Sequence, residues 1–311
     1  MTDRRQRATL TLRPQVRWML VVTAALLGHQ RSPLAQEKPA EKLVPPATKS
    51  NEAKRSREEL QISLEQVAPM RLRHMTTEAI IERVEHPVLR YTAPLWGGHH
   101  GTLWLWGKSG RPMAVLEMSL VGKEDVWYRS FHSTTNDPIK LDLPNGKSWI
   151  PKSSNVQFKP LLNAPRPAET PAGRLRQMKS LLKKMSAHQL WTWPEGDGSR
   201  HELRLLTTPV HRYEDRDQHL IDGALFIIAQ GTNPEATLFL EAVNPVDASQ
   251  PFWQFGIGRC SFAEQIVNYE DQEIYHEPPV KYDEIFNSEN SYWRTTSKVN
   301  ETATKTNVQN D

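Results

Sequence analysis

A single cysteine, Cys260, stands in a chain of 311 residues. One thiol allows no internal disulfide, so the fold must be held by a packed core. Next to a glycine-containing strand, that thiol reads as a small buried hydrophobe. Long hydrophobic runs are also missing. The most apolar stretch, Trp18 to Leu27, is well short of the about 20 residues that a membrane-spanning helix needs. The chain has no Gly-x-Ser-x-Gly elbow, no Cys-x-x-Cys pair, no His-Glu-x-x-His and no phosphate-binding glycine loop. The enzyme classes that announce themselves by those motifs are excluded. No catalytic residue, metal or cofactor is assigned from sequence.

An excess of one charge is absent too, once the N-terminus is set aside. Residues 1–35 hold six arginines and one aspartate, a net of +5, whereas the whole chain carries +3. The remainder is therefore about −2, and nucleic-acid binding, which wants a basic domain, loses its support. Arg4, Arg5, Arg7, Arg13 and Arg17 precede the apolar run, and Ser32-Pro33-Leu34-Ala35 follows it. This is the layout of a signal peptide over 1–35, cleaved after Ala35. It predicts an exported protein, periplasmic or secreted. The alternative is the same stretch retained as an uncleaved membrane anchor. No cysteine follows the apolar run, which argues against a lipoprotein. Residues 36–55 are charged and free of aromatics, and read as a disordered linker.

The most informative feature is internal. Pro87-Val88-Leu89-Arg90-Tyr91 matches Pro209-Val210-His211-Arg212-Tyr213. Without a gap, Gly101 then matches Gly223, Leu103 matches Leu225, Pro112 matches Pro234, Ala114 matches Ala236 and Leu116 matches Leu238. Nine identities in thirty positions indicate a duplication. Further on, Val126-Trp127 aligns with Phe252-Trp253 after a small insertion, and Trp149 and Tyr275 close the two copies. Upstream, Arg71-Leu72-Arg73-His74-Met75 resembles Arg174-Leu175-Arg176-Gln177-Met178.

Each copy reads as a helix followed by an antiparallel meander. Strands are predicted at 88–93, 102–107, 113–120 and 126–132, and again at 209–214, 223–229, 236–243 and 252–259. Ala236, Leu238, Leu240 and Ala242 alternate with mostly polar neighbours, the pattern of a half-buried strand. Ser56 to Glu59 forms a capping box for a helix ending before Pro69. A second short helix is predicted over Thr77 to Glu85. Thr170-Pro171 starts a third, with Leu175, Met178, Leu181, Leu182 and Met185 on one face. Trp191 and Leu203 flank a turn and read as a hairpin. The expected organisation is an α+β domain over 56–282, made of two tandem helix-plus-meander units, about 70–151 and 172–278, related by a pseudo-twofold axis. Residues 283–311 are expected to be a disordered tail.

The strings from Leu203-Arg204-Leu205-Leu206 to Arg212-Tyr213, and from Asp222-Gly223-Ala224-Leu225-Phe226 to Gly231-Thr232-Asn233-Pro234-Glu235, resemble a family of exported proteins of planctomycete-type bacteria. The resemblance covers about residues 60–280 and implies export and a shared fold. That family has no assigned activity, so the resemblance implies no catalytic residue.

Two places are site-like. His99 and His100 sit in the loop Gly97-Gly98-His99-His100-Gly101, where imidazoles can take part in ligand or metal binding, or remain solvated. Arg90-Tyr91 and Arg212-Tyr213 recur in both copies, and one of each pair can line a pocket between the copies or serve as a fold element. These six residues are the candidate ligand contacts. Eight basic residues against one acidic over Lys152 to Ser186 suggest a polyanion or membrane face, or a solvated face beside the acidic stretch Glu264 to Glu289. The acid pairs Glu117/Glu241 and Asp137/Asp222 are candidates for glycoside hydrolysis. The leading expectation is a non-enzymatic binding or interaction protein of the cell envelope, with a small molecule, lipid or protein as partner. A hydrolase using His99 or His100 with nearby carboxylates, and a structural envelope component, are the alternatives.

Overall fold

The computed structural model describes residues 46–93, 99–121, 126–192 and 196–298. The segment 1–35 and the first ten residues of the expected linker lie outside the described residues. Over the described residues the protein is α+β, with few helices and antiparallel sheets.

The first half runs α1 (Pro46–Val67), β1 (Arg71–His74), β2 (Ile80–Ile81), β3 (Leu89–Ala93), β4 (His99–Trp106), β5 (Ala114–Val121), β6 (Val126–Ser133), β7 (Ile139–Asp142), β8 (Ser148–Trp149) and β9 (Gln157–Pro160). The second half runs α2 (Pro171–Leu182), β10 (Met185–Trp191), β11 (Ser199–Leu205), β12 (His211–Asp215), β13 (Leu220–Gln230), β14 (Asn233–Val243), β15 (Phe252–Arg259), β16 (Glu264–Tyr269), β17 (Gln272–Glu277), a 3-10 turn over Glu284–Phe286, and β18 (Tyr292–Lys298).

The ladders of the two halves share their registers. Arg90 faces Thr102 and Tyr91 faces Gly101 across β3 and β4, while Arg212 faces Ala224 and Tyr213 faces Gly223 across β12 and β13. Trp104 pairs with Leu116, and Phe226 with Leu238. Leu120 pairs with Trp127, and Ala242 with Trp253. The four-stranded sheet has the order β2-β1-β7-β8, and the nine-stranded sheet contains the run β11-β10-β16-β17. The last strand of each half crosses to the other half. β9 pairs with β15, and β18 pairs with β6.

Local sequence explains the elements. The Thr170 hydroxyl accepts from the Gly173 amide at 3.1 Å, and Pro171 occupies the first helical position, where its missing N–H leaves no intrahelical bond unmade. α2 buries Met178, Leu181 and Leu182 against Phe226, Leu238 and Trp253. In the first half, Val67 of α1 joins Trp104, Trp106 and Phe131, with Leu72, Leu141 and Trp149 from the four-stranded sheet. Each half thus packs one face of its sheets against its own helix. A third core joins the halves, with Leu103, Leu105 and Val115 packed on Leu225, Ile227 and Phe239. Each fully buried side chain of this size stabilises by about 1.5–3 kcal/mol.

Several expectations are corrected. α1 already begins at Pro46, inside the expected linker, so Ser56 is an interior helical position and not its cap. Thr77 to Glu85 is not helical, because Ile80–Ile81 pairs with β1. Arg71–His74 is a strand while Arg174 lies in α2, so that upstream match does not mark equivalent positions. Met185 belongs to β10. The described part of the expected tail is ordered in β18, where Trp293 stacks on Phe131 at 5.3 Å. Residues 299–311 lie outside the described residues.

Candidate functional site

A cleft of about 350 Å³ opens where the halves meet, lined by α1, β3 and β4 on one side and by Arg204, Leu206 and Thr232 on the other. Arg90 and Thr92 reach it from β3, the edge strand of the five-stranded sheet. The Thr232 hydroxyl donates to the Thr92 carbonyl and fastens the two halves at this point. Arg204 reaches over the β13–β14 turn, and its Nη2 donates to the Gly231 carbonyl at 2.9 Å.

The floor is a polar layer on α1 and β4. Glu59 Oε2 lies 3.1 Å from His100 Nδ1. One turn further along α1, Ser63 Oγ shares a hydrogen bond with Thr102 Oγ1 at 2.9 Å, and Trp104 Nε1 donates to the same hydroxyl at 3.0 Å. Leu60, Leu89 and Leu206 supply apolar wall. Two arginines and an imidazole therefore line a partly apolar opening together with one carboxylate. That arrangement suits an organic anion.

The six residues singled out in the sequence separate. Arg90, Tyr91 and His100 come together at the cleft. His99 opens β4, and its side chain lies outside the described residues. Arg212 is taken up by Asp222, with Nη2 at 2.6 and 2.5 Å from the two carboxylate oxygens, and Arg174 Nε holds the same carboxylate at 2.8 Å. Tyr213 is buried and donates to Glu241 at 2.8 Å. At positions matched in register, the first half thus lines the cleft and the second forms an ion cluster around Asp222. Sequence reasoning missed Glu59 and Arg204. The signal for Glu59 was its place on the α1 face shared with Ser63, and Arg204 was visible only as part of a strand.

Between the sheets lies a second polar group set. The Tyr91 hydroxyl donates to buried Glu117. Burial pushes the Glu117 carboxyl up to about 7, although the Tyr91 hydrogen bond and the charge of Arg294 pull the other way. Burial also pushes Glu235 up to about 7, and the Glu117 charge adds to that rise. It raises the Tyr91 phenol and the Cys260 thiol well above their usual ranges, which leaves that thiol unreactive. His132 is fully buried without a protein hydrogen-bond partner among the described residues, and burial lowers it to about 3.

The carboxylates considered for glycoside hydrolysis have other engagements. Glu241 receives Arg111 Nε and Nη2 at 2.7 and 2.6 Å, Tyr213, and Gln254 Nε2 at 2.7 Å. Asp222 is held by two arginines, and Asp137 is exposed. On α2, the basic residues Arg176 and Lys179 are exposed; just past its end, Lys184 pairs with Glu270 at 2.8 Å. Among the described residues, no three His, Cys, Asp or Glu side chains gather as a metal site would need. Also among them, no helix is long and apolar enough to cross a membrane. Comparison with family models, with curated proteins and with solved structures returned no match.

Proposed function

We propose that this is a binding protein of the bacterial cell envelope, built from two copies of one α+β unit, that holds a small organic anion in the cleft between them. The observation that carries the reading is that Arg90 and Arg204, one from each half, line the same cleft with His100 and an apolar wall. Its volume of about 350 Å³ lies in the range of small-molecule sites. Paired guanidinium groups recognise carboxylate, sulfonate or phosphate with directed hydrogen bonds.

The duplication is supported by a strand order that recurs in both halves. Leu72 pairs with Leu141 and Leu141 with Trp149, as Ala187 pairs with Val267 and Val267 with Tyr275. The reciprocal crossing of β9 and β18 supports a pseudo-twofold relation between the copies. Export, and kinship with the planctomycete-type family, rest on the N-terminal pattern and the strings quoted above. A lipid-carrier role is disfavoured, because the apolar faces of the sheets are already covered by α1 or α2 side chains and by aromatic side chains.

The test is calorimetric titration with 8-anilinonaphthalene-1-sulfonate and benzoate. Wild type is expected to bind with one site. Arg90→Gln or Arg204→Gln should each weaken binding by roughly tenfold or more, the worth of a charged hydrogen bond. No binding by wild type, or equal binding by the folded variants, removes the reading.

One contact favours a second reading. His100 Nδ1 lies 3.1 Å from Glu59 Oε2, a carboxylate beside an imidazole as in the catalytic pairs of hydrolases. Turnover of ester, glycoside or phosphate substrates that disappears in His100→Ala would support it. Unchanged turnover in that variant would dismiss it.

A further inference from the structure

Tyr91 belongs to two environments. It lines the cleft, and its hydroxyl donates to Glu117, which is 9% exposed. Around Glu117 the facing sheet contributes Glu235 of β14 and the Cys260 thiol, while β18 contributes Tyr292 and Arg294. Tyr292 donates to the Cys260 carbonyl at 3.2 Å, and Asn233 Nδ2 donates to Glu235 at 2.9 Å. Among the described residues, Arg294 is the cation that acts on both carboxyls, and its guanidinium also stacks over Tyr128 at 4.6 Å. Two carboxyls sharing one cation in a buried layer are costly to ionise together.

We propose that Tyr91 couples the cleft to the buried Glu117–Glu235 pair, so that an organic anion entering the cleft is bound together with one proton taken up from solvent by that pair. The proposal rests on the cleft reading. The chemistry is a protonation of one carboxylate to its neutral acid, with no other bond made or broken. An anion beside Tyr91 adds like charge near Glu117 and competes for the phenolic hydrogen bond. Both effects favour the neutral acid. The placement of both carboxyls near about 7 leaves the pair with a proton to gain at neutral pH. On the cleft side, the titratable groups are His100 and Glu59, joined at 3.1 Å.

The experiment titrates the full chain with 8-anilinonaphthalene-1-sulfonate, whose sulfonate stays ionised throughout, from about pH 6 to about pH 8.5, in wild type, Glu117→Gln and His100→Gln. Repeats in buffers of different ionisation enthalpy count the protons taken up. The infrared band of protonated carboxyl is followed in parallel without the probe. Wild type and His100→Gln are expected to lose affinity by up to about tenfold over this range, the limit reached when the bound anion makes one carboxyl hold its proton about ten times more tightly. Glu117→Gln, which mimics the neutral acid, should bind with no such slope and no proton uptake, and should lack part of the carboxyl band. Probe binding that ignores pH, or a slope that survives in Glu117→Gln and vanishes in His100→Gln, overturns the linkage and leaves the cleft standing. No probe binding at any pH overturns the cleft reading and the linkage with it.

Discussion

Arg212 grips both carboxylate oxygens of Asp222, at 2.6 and 2.5 Å. In register terms, Arg212 and Asp222 stand where the first half has Arg90 and His100. In the second half the carboxylate neutralises two arginines and closes the position. In the first half a histidine replaces it, and Arg90 and His100 both line the cleft. Asp222→Asn should therefore cost about 3–5 kcal/mol, since it leaves buried Arg174 without its counter-charge. Arg90→Gln, at an exposed position, should cost no more than about 1 kcal/mol. Urea unfolding midpoints of the two variants measure this contrast.

Tyr213 lies flat across Gly223, so that a Cβ added there would meet the ring at 2.3 Å, and Tyr91 covers Gly101 in the same way at 2.1 Å. Each glycine is the seat that lets a phenol reach a carboxylate two strands away. Gly223→Ala should destabilise by about 1–3 kcal/mol through overpacking. In Tyr213→Ala the seat is empty, so the added methyl should cost little. A double-mutant cycle with a coupling energy near zero would contradict this arrangement.

Trp293 lies in a segment whose composition predicts disorder, yet it is 3% exposed and packs on Phe131. Trp293→Ala should cost about 3–5 kcal/mol. Removal of residues 292–311 should abolish cooperative thermal unfolding, because it strips β18 from β6. A truncated chain that melts like the full one would show that the strand exchange is not structural.

Stability should depend on pH in two opposed ways. Glu117 and Glu235 hold their protons to about 7 in the fold, above the unfolded value of about 4.3. Their contribution is complete below about 4.3 and is lost as pH rises through about 7, by roughly 4 kcal/mol per carboxyl at most. His132 falls to about 3 in the fold, below the unfolded value of about 6.5. Its contribution is present above about 6.5 and is lost as pH falls towards about 3. Above about pH 4.3 the two carboxyls lose more than the one imidazole gains, so unfolding free energy should peak near about pH 4.3. Glu117→Gln and Glu235→Gln should flatten the alkaline limb, and a limb unchanged in both variants would contradict the assignment.

The meander strands were legible because a duplicated pattern of glycine, leucine and proline fixes their register, and because β13 and β14 are apolar enough to require burial on both faces. β9 and β18 were not legible. Each is an edge strand whose partner lies in the other half, so no local alternation marks it. The aromatic pair Tyr292-Trp293 was the available signal. Arg90 and Tyr91 could be singled out by recurrence, but recurrence alone could not tell a cleft-lining arginine from one bound to Asp222. That difference lies in His100 against Asp222 and in Glu59 against Arg174, residues that only the packing of α1 and α2 brings beside them.

Backbone amide shifts of the isotope-labelled protein, recorded as 8-anilinonaphthalene-1-sulfonate is added, test the central claim most directly. Saturable shifts confined to the neighbourhood of Arg90, Thr102, Arg204 and Thr232 are predicted. Shifts centred on α2 and Trp253 in the core of the second half, or scattered without saturation, would contradict it.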